Sequence, residues 1–281
     1  MSKRSQLGIM QGRLLPKYRG RYQAHPVGYW KDEFSIAAGL GLDLIEFILD
    51  SNDVYENPVM NEPGIHEILT LTEKTGVAVK SICADYFMEA PLHSSSDMAL
   101  KESQKVLETL IINSSKLGVC DIVIPCVDQA TLANNNKNIE RFISNVRPAV
   151  SLVEKLEINL ALETDLAPGP FSELLGKLDS PQITVNYDTG NSASLGYDPE
   201  EELKAYGGRI SDIHIKDRLL NGGSVILGSG DTDFERFFAV LIKVGYEGPF
   251  IMQAYRDDEG IKIFKEQLQW IMPFLKSHGF S

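Results

Sequence analysis

The chain has 281 residues, 43% hydrophobic and 23% charged, the balance of an ordinary globular protein long enough to bury a core without disulfide staples. Its 27 basic and 39 acidic residues leave a formal charge of −12 and a pI near 4.9, which argues against a nucleic-acid binder, since that function wants a basic face. Cys83, Cys120 and Cys126 lack CxxC spacing and argue against a disulfide framework or a thiolate zinc site, and the opening MSKRSQLGIMQGR has too short an apolar run for a signal peptide or membrane span. The expectation is a cytoplasmic α/β protein that meets neither nucleic acid nor membrane.

Short apolar runs alternate with longer helical patterns along the whole chain, which predicts repeated βα units. The first strand is expected over Gln6–Met10 and the second over Leu42–Ile48, followed by an irregular loop, Ser51–Glu62. Val77–Ala84 is the third. Met98–Leu117 then places Val106, Leu107, Leu110, Ile111 and Leu117 on one helical face. After a fourth strand, Asp121–Pro125, the helical pattern Asn138–Leu156 aligns Ile139, Phe142, Ile143, Val146, Val150 and Val153, with Pro148 predicting a kink. Asn159–Glu163, Ile183–Asp188 and Ile210–Lys216 are the fifth to seventh strands. Thr232 and Glu235 read as a capping box ahead of a helix over Phe234–Val244, with Gly245 as its C′ residue. Pro249–Gln253 is the eighth strand. The last helix turns Ile261, Phe264, Leu268, Ile271 and Leu275 inward, carries Pro273, and is expected to seal the barrel against the first helix. Trp30 and Trp270 are assigned to outer helices as core residues. Eight units without a linker predict one (β/α)8 TIM barrel domain over residues 1–281, with an open doubly wound sheet as the alternative.

Barrels of this type build their active sites at the carboxyl ends of the strands. The last four strands end in, or carry near their ends, Glu163, Asp188, His214 and Gln253, each about one βα unit from the next. Two carboxylates, an imidazole and an amide oxygen form a ligand set for one divalent metal ion: Mn²⁺, Mg²⁺, Co²⁺ or Zn²⁺. The bland alternative for any one of them is a polar strand end meeting solvent.

On these residues the chain resembles the xylose isomerase-like superfamily, and within it the sugar-phosphate isomerase/epimerase group that includes ketose 3-epimerases, hydroxypyruvate isomerases and inosose dehydratases. The likeness is carried by GIMQGR (8–13), LDLIEF (42–47), LALETD (160–165), NYDTGN (186–191), DIHIKDR (212–218), LGSGDTDF (227–234) and YEGPFIMQAYR (246–256). The resemblance implies a divalent ion held by Glu163, Asp188, His214 and the last-strand position, here Gln253 where the family carries Glu. In the epimerases two glutamates at these positions also form the acid/base pair. Gln253 can offer a carbonyl oxygen to a metal but cannot accept or return a proton. Asn191 likewise stands where related ketose epimerases carry a substrate-contacting His. The resemblance also implies a dimer or tetramer.

Removing a proton beside a carbonyl leaves an enediolate, which a chelating divalent ion stabilises, with Glu163 as base. A second acid, if the reaction is an epimerisation, is sought among Glu46, Asp50, Asp85 or a water. Lys216 shares the strand face of His214 and either reaches a substrate oxygen or phosphate or snorkels to solvent. Arg218, Arg256 and Arg13 are candidate anchors for a phosphate or carboxylate, with a rim salt bridge to Asp217 the plain account of Arg218. His93 is a candidate lining residue or a solvated loop histidine; Cys126 is expected to be a buried, inert thiol. The predicted activity is isomerisation or epimerisation of a small sugar or sugar phosphate. An inosose dehydratase-like lyase, or a sugar-binding homologue weakened by Gln253, are the alternatives.

Overall fold

The computed structural model describes residues 5–257 and 260–280. Its strands are β1 (Leu7–Met10), β2 (Leu44–Ile48), β3 (Ser81–Cys83), β4 (Asp121–Cys126), β5 (Asn159–Thr164), β6 (Ile183–Asp188), β7 (Ile210–Ile215), β8 (Asp217–Arg218), β9 (Ser224–Val225) and β10 (Phe250–Met252). Eight of them close a parallel barrel in the order β1-β10-β7-β6-β5-β4-β3-β2, and β8 and β9 pair as a small antiparallel ribbon outside it. The fold is the (β/α)8 barrel, and all eight barrel strands fall within the predicted runs to within a few residues.

Strand alternation divides the apolar residues into two cores. A small one inside the barrel holds Met10, Leu44, Ile48, Cys83, Val123, Ala161 and Ile251. The large one lies between sheet and helices, with Phe34, Phe47, Phe142, Phe237, Phe238 and Phe264 fully buried. The remaining space inside the barrel is polar, occupied by Glu46, Asp121, Asn186, Asp212 and His214. A barrel interior this rich in buried carboxyl groups is costly unless each is paired.

The helices follow their sequence signals with instructive exceptions. In the helix Asp97–Leu117, Ser96 caps the amino end through the Ala99 N–H, and Gly118 ends it at φ +71°. The helix Asn136–Leu156 continues unbroken past Pro148, as the terminal helix Ile261–Ser277 does past Pro273. Both prolines face solvent, where water takes the carbonyl that loses its partner. The expected capping box does not form. Asp233, not Thr232, caps the helix Phe234–Lys243 by accepting from the Arg236 N–H at 3.0 Å. Thr232 is drawn away because its N–H donates to Asp217 at 3.1 Å. Residues 51–62 are more ordered than predicted, with two 3₁₀ turns at Val54–Glu56 and Pro58–Met60. Trp30 lies in the turn before the helix Asp32–Gly39 rather than on it, packed edge-on against Phe47. The terminal helix packs on Phe234–Lys243 through Trp270 and Phe274, but a cleft of about 580 Å³, lined by Leu7, Leu40, Phe250, Met272 and Leu275, opens where it meets the first helix.

The turn after β1 is fixed by one glycine and one buried acid. Gly12 sits at φ +86°, where a Cβ would lie 2.2 Å from the Tyr22 carbonyl oxygen. Glu33 accepts from the N–H groups of Gly12 and Leu14 at 2.8 and 3.0 Å. This pins the loop that carries Arg13 over the barrel mouth.

Candidate active site

Glu163, Asp188 and His214 stand at the carboxyl ends of the consecutive strands β5, β6 and β7, and strand register pairs Asp188 with His214. All three are buried, and one donor atom from each lies within 4.8 Å of the other two. His214 Nδ1 is 3.5 Å from Glu163 Oε2 and 3.9 Å from Asp188 Oδ2. Two amides hold the Glu163 carboxylate: Asn186 donates to Oε2 at 3.0 Å and Asn191 to Oε1 at 2.6 Å. Asp188 caps the short helix Thr189–Leu195 by accepting from the Asn191 N–H at 2.8 Å, and its other oxygen faces Lys216 Nζ at 3.3 Å. Burial, then the charge of Asp188, pushes the Glu163 carboxyl up to about 7, which makes it a stronger base than an exposed glutamate.

Behind His214 lies a second buried group. Glu46 Oε1 is 2.7 Å from His214 Nε2, and neither side chain is exposed. Asn186 also donates to His214, at Nδ1 and 3.0 Å, so Nδ1 is an acceptor and the ring proton resides on Nε2, pointing at Glu46. The Nδ1 lone pair is thereby aimed at the Glu163 side. Burial raises Glu46 to about 7 and Asp212 well above the usual carboxylate range. Glu46 Oε2 and Asp212 Oδ2 have no hydrogen-bond partner among the described residues, and each carboxyl is raised first by burial. Glu46 is therefore not a mouth acid but the support of His214.

Gln253 follows β10. Its N–H donates to the Ile215 carbonyl, and its Nε2 donates to Gln23 Oε1 at 3.1 Å. Gln253 Oε1 is buried and accepts from no group among the described residues. Gln23 in turn donates to both Asp85 oxygens at 3.3 and 3.0 Å and accepts from Arg13 at 3.1 Å. Burial lowers Arg13 to about 10, against the pull of Asp85.

The outer candidates sort by what they touch. Lys216 does not snorkel: its side chain is only 14% exposed and its ammonium lies 3.3 Å from Asp188 and 3.5 Å from Asn191 Oδ1. Arg218 donates to Asn191 Oδ1 at 2.7 Å and to the Gly222 carbonyl, not to Asp217. The rim salt bridge fails because Asp217 is spent on the N–H groups of Gly228, Gly230 and Thr232. Arg256 is turned to backbone, donating to the carbonyls of Arg13 and Asp257 and lying over the Tyr22 ring. His93 is buried rather than solvated, and no hydrogen bond or ion pair among the described residues ties it to Glu163, Asp188 or His214. Asp50 accepts from the His25 and Asn52 N–H groups, holding its own loop. Cys126 is buried and its thiol is pushed up by burial, the inert state expected.

Sequence reasoning missed Asn186 and Asp212, and misplaced Glu46. The signal was present: on a strand, residues two apart share a face, so Asn186 sits under Asp188 and Asp212 under His214. Gln23, in an irregular loop, offered no such signal.

A divalent cation suits this donor set. The Glu163 and Asp188 carboxylates, the His214 Nδ1 lone pair and the unpartnered Gln253 Oε1 are hard or borderline donors from four strand ends, and the Glu46 contact is the supporting hydrogen bond that ligating histidines usually make.

The chain belongs to the xylose isomerase-like TIM barrel family, whose model matches residues 34–274. It is similar to the L-ribulose-5-phosphate 3-epimerase UlaE of Escherichia coli, 27% identical over 244 residues that cover 84% of this chain and 86% of that one. Among solved structures it superposes on D-psicose 3-epimerase with D-tagatose from Clostridium cellulolyticum H10 (TM-score 0.73, 16% identity, 97% of this chain and 98% of that chain). It likewise superposes on a xylose isomerase-like TIM barrel protein from Mycobacterium smegmatis in complex with magnesium (TM-score 0.71, 18% identity, 99% and 98% covered).

Proposed function

We propose that this protein is an isomerase/epimerase of a small sugar or sugar phosphate that works with one divalent metal ion. The observation that carries the reading is the convergence of buried Glu163, Asp188 and His214 within 4.8 Å at three consecutive strand ends. The epimerase named among its relatives and the magnesium bound by one structural neighbour support it. Glu163, Asp188, His214 and Gln253 would hold the ion, which when bound supplies Lewis-acid stabilisation of a carbonyl and its developing charge.

The residues themselves do the rest. Glu163 takes the proton from the carbon beside the carbonyl, its carboxylate aimed by Asn186 and Asn191. Lys216, which also faces Asp188, and Arg218 converge on Asn191 and place two cationic groups there, suited to an oxyanion or phosphate of the substrate. Their spacing depends on Gly190, where a Cβ would lie 2.8 Å from Lys216 Cγ and 3.1 Å from Arg218 Cγ. Gly190→Ala is therefore expected to raise KM about fivefold or more, the equivalent of roughly 1 kcal/mol of displaced side chain, with a smaller change in kcat. Equal loss in kcat would assign the damage to Asp188 instead. No helix among the described residues is long and apolar enough to cross a membrane. The proposed setting is the cytoplasm.

The test is direct. Purified protein is titrated with Mn²⁺ by calorimetry, then incubated in D₂O with ketopentoses, ketohexoses and their phosphates and followed by NMR. One bound ion per chain and deuterium entering next to a carbonyl are expected. No metal binding, together with no exchange on any sugar, overturns the reading.

A further inference from the structure

We propose that Asp85 is the second proton-transfer group of this site, doing for the far face of the substrate what the Gln253 amide cannot. The inference rests on the function proposed above and concerns how a chain with glutamine on its last strand could still epimerise. An amide neither gives nor takes a proton at neutral pH, so an epimerisation needs another carboxyl in reach.

One amide separates Gln253 from such a group. Gln23 accepts from Gln253 Nε2 at 3.1 Å and donates from its own Nε2 to both oxygens of Asp85. Asp85 follows β3, and because the barrel is parallel its side chain belongs to the same end as Glu163. β4 lies between β3 and β5, so the two carboxyls approach the mouth from different directions. Asp85 is half-buried, with Gln23 and Cys83 as its hydrogen-bond partners, the Cys83 thiol at 3.3 Å. Through Gln23 it is also linked to Arg13, whose guanidinium donates to the same Gln23 Oε1 at 3.1 Å. Burial raises its carboxyl above the ordinary value, the direction a proton donor requires.

The step balances without a co-reactant. Glu163 removes the proton from one face of the carbon, and the Asp85 carboxyl delivers its proton to the opposite face of the same carbon. The product is the epimer; Glu163 is left protonated and Asp85 ionised, and exchange with solvent resets both.

The experiment compares two readouts in D₂O, with Mn²⁺ and the ketose or ketose phosphate that the wild type turns over. Asp85→Asn is expected to retain wash-in of deuterium into the starting sugar, since Glu163 is intact, while epimer formation falls about 100-fold or more. Adding Gln253→Glu to that variant is expected to restore the epimer. Epimer formation in Asp85→Asn within threefold of wild type overturns the proposal, as does parallel loss of wash-in and epimer in a variant with an unchanged urea midpoint. Asp85→Ser, read the same way, stands in if the asparagine variant does not fold. A wild-type protein that exchanges no deuterium with any sugar is a different result, and sinks the proposed function itself.

Discussion

Glu163→Gln is expected to lower deuterium exchange at the substrate carbon by roughly 10²- to 10⁴-fold, the usual worth of a positioned general base. The amide keeps an oxygen for a cation but has no capacity to take a proton. The substitution keeps the shape of the side chain. Asn191 donates to Oε1 at 2.6 Å and can go on donating to the glutamine oxygen. On the Oε2 side a glutamine N–H would oppose the Asn186 amide, which cannot turn without taking its N–H away from His214 Nδ1, so one buried hydrogen bond is lost. The urea midpoint should therefore fall by the worth of one buried hydrogen bond, about 1–3 kcal/mol, while exchange collapses. Exchange within tenfold of wild type, measured by NMR in D₂O under saturating Mn²⁺, would move the base elsewhere and remove Glu163 from its proposed role.

What the sequence disclosed and what it withheld divide along the range of the interactions. Barrel strands such as Asn159–Thr164 and Ile183–Asp188 were legible because each is a short apolar run ended by a polar residue, and a parallel barrel makes those ends coincide. Glu163, Asp188 and His214 are candidates on that basis, and their donor atoms lie within 4.8 Å of one another. The contacts that tune them were not legible. His214 and Glu46 are 168 residues apart, and nothing local to LIEFI announces that its glutamate faces an imidazole rather than solvent. Gln23 bridges Gln253 and Asp85 from a stretch without periodicity, where no pattern assigns a face. The Thr232 cap failed for a related reason: local propensity favours either Thr232 or Asp233, and the distant Asp217 carboxylate decides between them. Arg256 shows the same limit, since its position past the last strand fitted an anion anchor while its guanidinium is engaged by backbone carbonyls of the β1 loop.

Glu46→Leu is expected to weaken Mn²⁺ binding by about 10- to 100-fold, although residue 46 offers the ion no ligand in the proposed set. The reason is tautomeric. With Glu46 Oε1 at 2.7 Å, the His214 proton stays on Nε2 and Nδ1 keeps its lone pair for the cluster. Leucine removes that acceptor in a site with no exposure, so the buried Nε2–H loses its partner and the ring gains freedom to turn or to protonate at Nδ1. It also removes the acidic side chain that helps to raise the Asp212 carboxyl. Glu46→Gln separates the two effects, because the glutamine oxygen still accepts from Nε2–H; its Mn²⁺ affinity should stay within a few-fold of wild type. Nitrogen-15 NMR of the metal-free proteins reads the cause directly, with His214 protonated at Nε2 in the wild type and the glutamine variant and a mixture of tautomers in the leucine variant. Should Glu46→Leu bind Mn²⁺ as tightly as the wild type while its histidine tautomers are mixed, imidazole orientation is not what sets affinity, and His214 does not hold the ion through Nδ1.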